Sequence, residues 1–243
     1  MRRFAPVLAI LLAATAAHSE DITLCTQGLD AQQAGNYDLA IADYDRCLRG
    51  SKLSVGNQAI AYYNRGNAYG DKGQYNRAIA DYDTALALQP GYAYALSNRG
   101  NAYVQKGEYE RAMADFDAAI RLKPDFAEAF NNRCYDQAIL GRLSQALADC
   151  DRSLALRPND AKTLDSSGYA RLRAGDYAGA VADYSAAIKA YTAKGSDAAV
   201  SYFGRGLAYQ LLGKRDLAEQ HFRQALAIDP AIEAKMAKIG MTR

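Results

Sequence analysis

The side chains able to act as acids, bases or nucleophiles are scattered along this sequence rather than grouped. Two histidines occur, His18 near the start and His221, and His221 has no serine or cysteine motif beside it. Acid pairs such as Asp81 and Asp83 are two residues apart, so their side chains point to different sides of a helix. They are not placed to act as a general acid and base on one substrate. We therefore expect no catalytic residues, no metal site, no cofactor and no enzymatic activity.

The charge balance argues against two classes of partner. The chain has 29 Lys plus Arg and 27 Asp plus Glu, and loss of Arg2 and Arg3 with an N-terminal leader leaves 27 of each. A neutral chain lacks the excess of cations that binds nucleic acids or anionic membranes. No apolar stretch is long enough to cross a bilayer. We expect no nucleic-acid binding, and no membrane insertion once the leader is removed.

The N-terminal residues have the pattern of a secretory signal peptide. Two arginines precede an apolar run from residue 4 to residue 17, and small residues flank a cleavage point after Ser19. We expect residues 1–19 to be removed and the mature chain to begin at Glu20, with cleavage after Ala17 as the alternative. This pattern predicts a periplasmic or secreted protein.

A period of 34 residues organises the rest of the chain. The block YNRGNAY at residues 63–69 recurs as SNRGNAY at residues 97–103, and Pro90, Pro124 and Pro158 keep the same interval. A fixed period of this length indicates stacked structural repeats. With four-residue insertions after the first and fifth, the chain divides into six repeats at residues 21–54, 59–92, 93–126, 127–160, 161–194 and 199–232.

Each repeat is predicted to form two helices joined by a glycine-containing turn. Small residues allow antiparallel helices to approach closely, glycine frees the backbone of the turn, and proline ends the second helix. An aromatic residue of the second helix then fills the space between the hairpins. The small positions of the first helices are Gly28, Gly66, Gly100, Cys134, Gly168 and Gly206, and the aromatic positions are Tyr44, Tyr82, Phe116, Tyr184 and Phe222.

This combination of recurring positions resembles the tetratricopeptide repeat (TPR) family over residues 20–232. The resemblance implies an all-α fold, a right-handed superhelical solenoid of six helix-turn-helix repeats with a concave inner face. Residues 233–243 are expected to form a C-terminal capping helix for the last hairpin. One departure from the family pattern is an arginine on the first helices, at Arg65, Arg99, Arg133 and Arg205.

We expect these arginines to pair with the recurring acids of the second helices, because a partly buried guanidinium needs a carboxylate. Ligand binding by the arginines is the alternative. The acids concerned are Asp43, Asp81, Asp115 and Asp149.

The four cysteines are predicted to form two disulfides within repeats. Cys25 and Cys47 occupy positions 5 and 27 of the first repeat, and Cys134 and Cys150 occupy positions 8 and 24 of the fourth. Both sums equal 32, and a constant sum in an antiparallel hairpin places the two residues at one level. We therefore predict the pairs Cys25–Cys47 and Cys134–Cys150. Buried free thiols are the alternative.

The first helices also carry an amide-rich and aromatic stripe opposite their packed side. Side-chain amides can both donate to and accept from a peptide backbone, and aromatic rings add apolar contact area. Asn64, Asn98 and Asn132 are equally spaced, and some peptide-gripping members of the TPR family use a similar ladder. A solvated helix face is the alternative. The predicted groove residues are Tyr63, Asn64, Asn67, Asn98, Asn101, Asn131, Asn132, Tyr135, Tyr169 and Phe203.

These expectations describe a non-enzymatic scaffold of the periplasm or secreted space that holds a protein or peptide partner in its concave groove. The alternative is a module that self-associates into a homo-oligomer through tyrosine-rich surfaces and has no peptide ligand. The functional prediction depends on the family resemblance, because one fold serves many functions.

Overall fold

The structure is a computed structural model that describes residues 19–50 and 53–243, with side chains from Ile22 onward. Apart from Ser19, the predicted signal peptide lies outside the described residues. The described residues form thirteen α-helices: α1 (Ser19–Gln33), α2 (Tyr37–Arg49), α3 (Val55–Asp71), α4 (Tyr75–Leu88), α5 (Ala93–Gln105), α6 (Tyr109–Leu122), α7 (Ala127–Ile139), α8 (Leu143–Leu156), α9 (Ala161–Arg173), α10 (Tyr177–Ala193), α11 (Ala199–Leu211), α12 (Arg215–Ile228) and α13 (Ile232–Ala237).

The first twelve helices pack in consecutive pairs, α1 with α2 through α11 with α12. The all-α prediction and the helix-turn-helix character of the repeats are therefore confirmed. In four repeats the second helix ends two residues before a proline, as at Leu88 before Pro90. In the fifth repeat, which the second insertion follows, α10 has 17 residues, against 14 in α4, α6, α8 and α12.

The turn between α5 and α6 shows why glycine recurs between the paired helices. Gly107 has a φ of 76°, a left-handed conformation that glycine adopts without steric cost. The Gly107 amide donates to Val104 O, and the Glu108 amide donates to Tyr103 O, each over 2.9 Å. These bonds satisfy carbonyl groups at the end of α5 and reverse the chain into α6.

The small position of the first helix allows an aromatic ring to lie directly against the helix backbone. A Cβ atom added to Gly100 would lie 2.6 Å from Cε1 of Phe116, which is far inside van der Waals contact. Phe116 is fully buried in this position. The Phe116 ring can therefore lie against α5 because Gly100 has no side chain, and this contact sets the distance between α5 and α6.

The chain divides into two compact units, Met1–Pro124 and Asp125–Arg243, referred to below as the N-terminal and C-terminal units. The N-terminal unit has an aromatic core that includes Tyr63, Tyr82 and Phe116. The C-terminal unit has a core that includes Phe203 and Phe222.

The C-terminal segment differs from the capping helix predicted over residues 233–243. The helix α13 is only six residues long and ends at Ala237. Gly240 has a φ of 76°, and the Met241 amide donates to Met236 O over 3.1 Å, which closes the helix end. The chain then turns back so that Met241 is buried in the core of the C-terminal unit. Within the described part of the chain, no helix has the length and apolar character needed to cross a membrane.

Candidate functional site

Three arginines of the first helices form ion pairs with acids of the second helices, as predicted. Each of the three holds one acid through two hydrogen bonds, and Arg65 and Arg99 also contact a second acid. In the N-terminal unit, Arg99 Nε and Nη2 donate to both oxygens of Asp115 over 2.8 and 2.6 Å, and Nη1 donates to Asp83 over 2.6 Å. Arg65 makes the same contacts with Asp81 and Asp45. The hydrogen bonds and charge of Asp115 raise the pKa of the Arg99 guanidinium against the effect of burial.

In the C-terminal unit, Arg133 makes the bidentate pair with Asp149, with both distances 2.7 Å. The prediction is thus confirmed for Arg65, Arg99 and Arg133. These charges belong to the packing between helices and do not form an open ligand site. Asp43, the fourth predicted acid, pairs with Arg46 of its own helix.

For Arg205 the ion-pair prediction is wrong. The residue in the position of Asp115 is His221, and the residue in the position of Asp83 is Ser185. Arg205 Nη2 lies 3.3 Å from His221 Nδ1, and Nη1 donates to Ser185 Oγ over 3.1 Å. Burial lowers the pKa of Arg205. The absence of the acid was visible in the sequence, because His221 interrupts the series of aspartates.

The predicted groove stripe is largely buried, which corrects the expectation of an open surface. In the N-terminal unit, Tyr63 and Asn67 are fully buried. The Tyr63 ring packs 4.9 Å from that of Tyr92, and Asn67 Oδ1 accepts hydrogen bonds from Tyr82 OH and Asn98 Nδ2, each over 2.8 Å. These side chains fill space between neighbouring repeats, so they are not available to a ligand.

The asparagine ladder has unequal members. Asn98 Nδ2 also donates to Tyr63 OH over 2.9 Å, so its amide serves the core network. Asn64 is 5% exposed and its Oδ1 is buried without a hydrogen-bond partner. Asn101 and Asn132 are each 8% exposed. A role of the ladder in gripping a peptide stays a prediction.

The stripe is covered in the C-terminal unit as well. Phe203 is 1% exposed and packs 5.2 Å from Phe222, centroid to centroid, while Tyr169 is 3% exposed. Tyr169 OH donates to Ile239 O over 3.0 Å, so the segment after α13 lies against α9. Both aromatic residues therefore belong to the core, in contrast to their prediction as groove residues.

Two predicted residues on α7, Asn131 and Tyr135, differ from each other in exposure. Asn131 is 8% exposed, and its Oδ1 is buried without a partner. Tyr135, four residues later, is only partly buried, and its ring packs 5.7 Å from that of Tyr169. Of the ten predicted groove residues, Tyr135 keeps the largest exposure. The other nine are buried, because each first helix packs against several neighbours, as α9 does against α7, α8, α10 and α11.

Asp165 on α9 is a residue that the sequence analysis missed. It is partly buried and accepts a hydrogen bond from Ser201 Oγ over 2.5 Å, and it is also hydrogen-bonded by Tyr191 from the lengthened end of α10. Burial raises the pKa of the Asp165 carboxyl from 3.8 to about 7, while the two hydroxyl groups lower it by less. No cation is among the groups that shift its pKa. The only sequence signal was an acid within the amide-rich stripe of a first helix.

The cysteine pairs that the position sums selected are at disulfide distance in the structure. The Cα atoms of Cys25 and Cys47 are 5.4 Å apart, and those of Cys134 and Cys150 are 5.5 Å apart. Cys47, Cys134 and Cys150 are fully buried, so each pair lies between the two helices of its hairpin. Each disulfide therefore ties a first helix to its second helix.

The described residues 19–50 and 53–243 contain no cluster of three or more His, Cys, Asp or Glu residues arranged to hold a metal ion. His221 contacts Arg205 and Gln224 through the same ring nitrogen, and its ring stacks 5.3 Å from Tyr209. This arrangement places no nucleophile beside the imidazole.

The tetratricopeptide repeat is the sequence family whose models match this chain. One model matches residues 63–125, and a second matches residues 19–90 and 159–231. No curated protein matches the sequence significantly.

Several solved structures share the fold. PilW, a widely conserved type IV pilus biogenesis factor, has 19% sequence identity and a TM-score of 0.75, with 89% of this chain and 96% of PilW covered. A tetratricopeptide repeat protein from Parabacteroides merdae has 20% identity and a TM-score of 0.68, covering 88% and 80%. YrrB, a TPR protein with an unusual peptide-binding site, has 25% identity and a TM-score of 0.54, covering 79% and 97%.

Proposed function

Because this chain belongs to the tetratricopeptide repeat family, whose members generally act as scaffolds for protein interactions, we propose that it is a non-enzymatic scaffold. In this proposal the scaffold binds an extended segment of a protein partner along the first helices of its repeats. A TPR protein with a peptide-binding site, YrrB, is among its structural neighbours and supports this mode of binding.

The observation that carries the proposal is found in each unit by itself: a buried amide oxygen on a first helix that lacks a hydrogen-bond donor. Asn64 Oδ1 on α3 and Asn131 Oδ1 on α7 are both buried and unpartnered. An unmade hydrogen bond of this kind costs about 1–3 kcal/mol. The terminal amide torsion is soft, so either side chain can turn its oxygen toward an N–H group arriving from outside. A peptide backbone supplies such donors at regular intervals.

Tyr135 adds apolar contact area beside one of these amides. It lies four residues after Asn131 on α7, and residues at that spacing share a helix face. Its partly exposed ring is of the type enriched where proteins make contact. Asn131 would orient the backbone of a bound peptide, and the Tyr135 ring would cover it. Neither contact depends on the side chains of the peptide, so we expect binding with little sequence specificity.

The proposed compartment is the periplasm or the secreted space. Two cysteine pairs at disulfide distance support an oxidising environment, in which such bonds persist. The signal-peptide pattern of residues 1–19 supports the same compartment. N-terminal sequencing of the protein from the cell envelope fraction is expected to give Glu20 as the first residue. A start at Met1 in a cytosolic fraction would contradict this assignment.

The binding proposal is tested by in-cell crosslinking of the tagged full chain, capture from the envelope fraction, and affinity measurement with overlapping 15-residue peptides of the captured partner. Loss of one hydrogen bond costs about 1 kcal/mol, so N64A and N131A should each weaken peptide binding about five-fold. Asn76→Ala is the matched control, because Asn76 is exposed on a second helix.

Equal binding of one peptide by all three variants would refute the role of the first helices. If no partner is captured and light scattering shows a mass that grows with concentration, the self-associating module replaces the scaffold.

A further inference from the structure

The arginines of the first helices can be compared between repeats by the groups that accept their hydrogen bonds. In the second and third repeats, the acceptors of the guanidinium lie 16 residues after the arginine and 20 or 16 residues before it. For Arg205 the same two positions hold His221, 16 residues later, and Ser185, 20 residues earlier. The arginine is therefore present in the sixth repeat, but neither the position on α12 nor the position on α10 holds a carboxylate.

The groups that replace the two acids leave the charge of Arg205 uncompensated. The Nε atom is buried and has no partner, and within the described part of the chain Arg205 forms no ion pair. His221 Nδ1 also lies 2.7 Å from Gln224 Oε1, so this one nitrogen cannot donate to Gln224 and accept from Arg205 together. Ser185 Oγ donates to Val181 O over 2.6 Å and offers Arg205 a neutral oxygen alone.

In the second and third repeats, the carboxylate that accepts from Nη1 of the arginine faces solvent. The side chain of Asp83, which accepts from Arg99 Nη1, is 53% exposed, and that of Asp45 beside Arg65 is 38% exposed. The inner acids, Asp81 and Asp115, are each only 8% exposed. By this comparison, a carboxylate from another molecule can reach the Nη1 edge of the Arg205 guanidinium. Ser185 leaves room for it there, because a serine side chain is shorter than an aspartate side chain.

We propose that Arg205 binds a carboxylate side chain, from Asp or Glu of a protein partner, in the position that Asp45 and Asp83 occupy beside Arg65 and Arg99. The carboxylate replaces Ser185 Oγ as the acceptor of Nη1. The ring of Tyr202 supports the arginine from one side, with its centroid 5.4 Å from the guanidinium carbon, as Tyr62 supports Arg65 at 5.2 Å. This site uses neither Asn64 nor Asn131, and only the assignment of the carboxylate to a protein rests on the proposed function.

The experiment uses the NMR signals of the arginine side chains in the full chain with its disulfides intact. The probe is a capped tripeptide with a central aspartate, and the same peptide with asparagine is its control. We expect a saturable change of the Arg205 signal with the aspartate peptide and none with the asparagine peptide. The Arg99 signal should stay constant, because both of its acids are internal. The Arg205→Lys variant assigns the signal.

The variant Ser185→Asp separates loss of binding from loss of folding. It restores the outer acid of the other repeats, so it should raise the thermal midpoint and weaken binding of the aspartate peptide at least ten-fold. Titration with inorganic phosphate distinguishes a second source of negative charge. The proposal is overturned by an unchanged Arg205 signal, by equal peptide affinity in S185D, or by a response to phosphate alone.

The outcome for this site is independent of partner capture. If the aspartate peptide binds at Arg205 but the N64A and N131A variants bind their partner as tightly as the wild type, the proposed role of Asn64 and Asn131 is refuted. The carboxylate site at Arg205 then stands by itself. If the amide variants lose their partner and the aspartate peptide does not bind, the reverse holds.

Discussion

Replacement of Asp165 by asparagine should stabilise the protein, and the gain should grow as the pH rises. Asp165 accepts a hydrogen bond from Ser201, interacts with Tyr191 and is near the acid Asp160, without a cation among the groups that influence it. Burial raises the pKa of the Asp165 carboxyl to about 7, so below that pH the carboxyl is mainly protonated in the folded protein. Asparagine has nearly the same shape and remains neutral at every pH, which removes the cost of burying the charge.

The sign and size of the effect follow from the two protonation equilibria. The pKa is near 3.8 in the unfolded chain and about 7 in the folded protein. The stabilising contribution of the protonated group is therefore complete below about pH 4 and is lost as the pH rises through 7. Each pKa unit corresponds to about 1.4 kcal/mol, so the difference between variant and wild type should grow by at most about 4 kcal/mol from pH 4 to pH 8.

Urea denaturation of both proteins, with disulfides intact, at pH 4, 5, 6, 7 and 8 measures this difference. Other titrating groups cancel, because they are common to both chains. Asp151→Asn, at an exposed position on α8, is the control and should show a small difference that does not follow the same curve. A D165N difference that stays constant from pH 4 to pH 8 would show that the carboxyl is not held protonated in the folded protein.

Two further predictions concern the packing of the hairpins. Gly100→Ala should lower the free energy of unfolding by about 1–3 kcal/mol, measured by urea denaturation, because its Cβ would overlap the ring of Phe116. The native protein, unfolded without reductant, should contain no titratable thiol, and the double variant C134S/C150S should lose about 3 kcal/mol of stability, because the disulfide restrains the unfolded chain.

These two predictions have their own controls. Gly91→Ala adds a methyl group at a position with no atom within 4 Å, so it should leave the stability nearly unchanged. If G91A and G100A are equally stable, the close approach of helix and ring is not what the glycine protects. Four thiols in the unreduced protein would show that both cysteine pairs are reduced.

Much of the fold was predictable from local patterns. The 34-residue period, the turn glycines and the prolines located the hairpins, because helix ends depend on the conformations that a few residues allow. The pairs Cys25–Cys47 and Cys134–Cys150 could be selected because a constant sum in a hairpin places residues at one level. The ion pairs of Arg65, Arg99 and Arg133 were predictable for a related reason, since their spacing to the acids repeats with the period.

The candidate site was predicted less well, because burial depends on every neighbour of a helix and not on its own periodicity. Tyr63, Asn67 and Phe203 look like a free stripe when α3 and α11 are considered singly, yet adjacent helices enclose them. The return of the chain after Gly240 onto Tyr169 likewise joins residues 70 positions apart. Long-range contacts of this kind decided which polar groups are paired, and so buried Asp165 without a cation among the groups that influence its pKa.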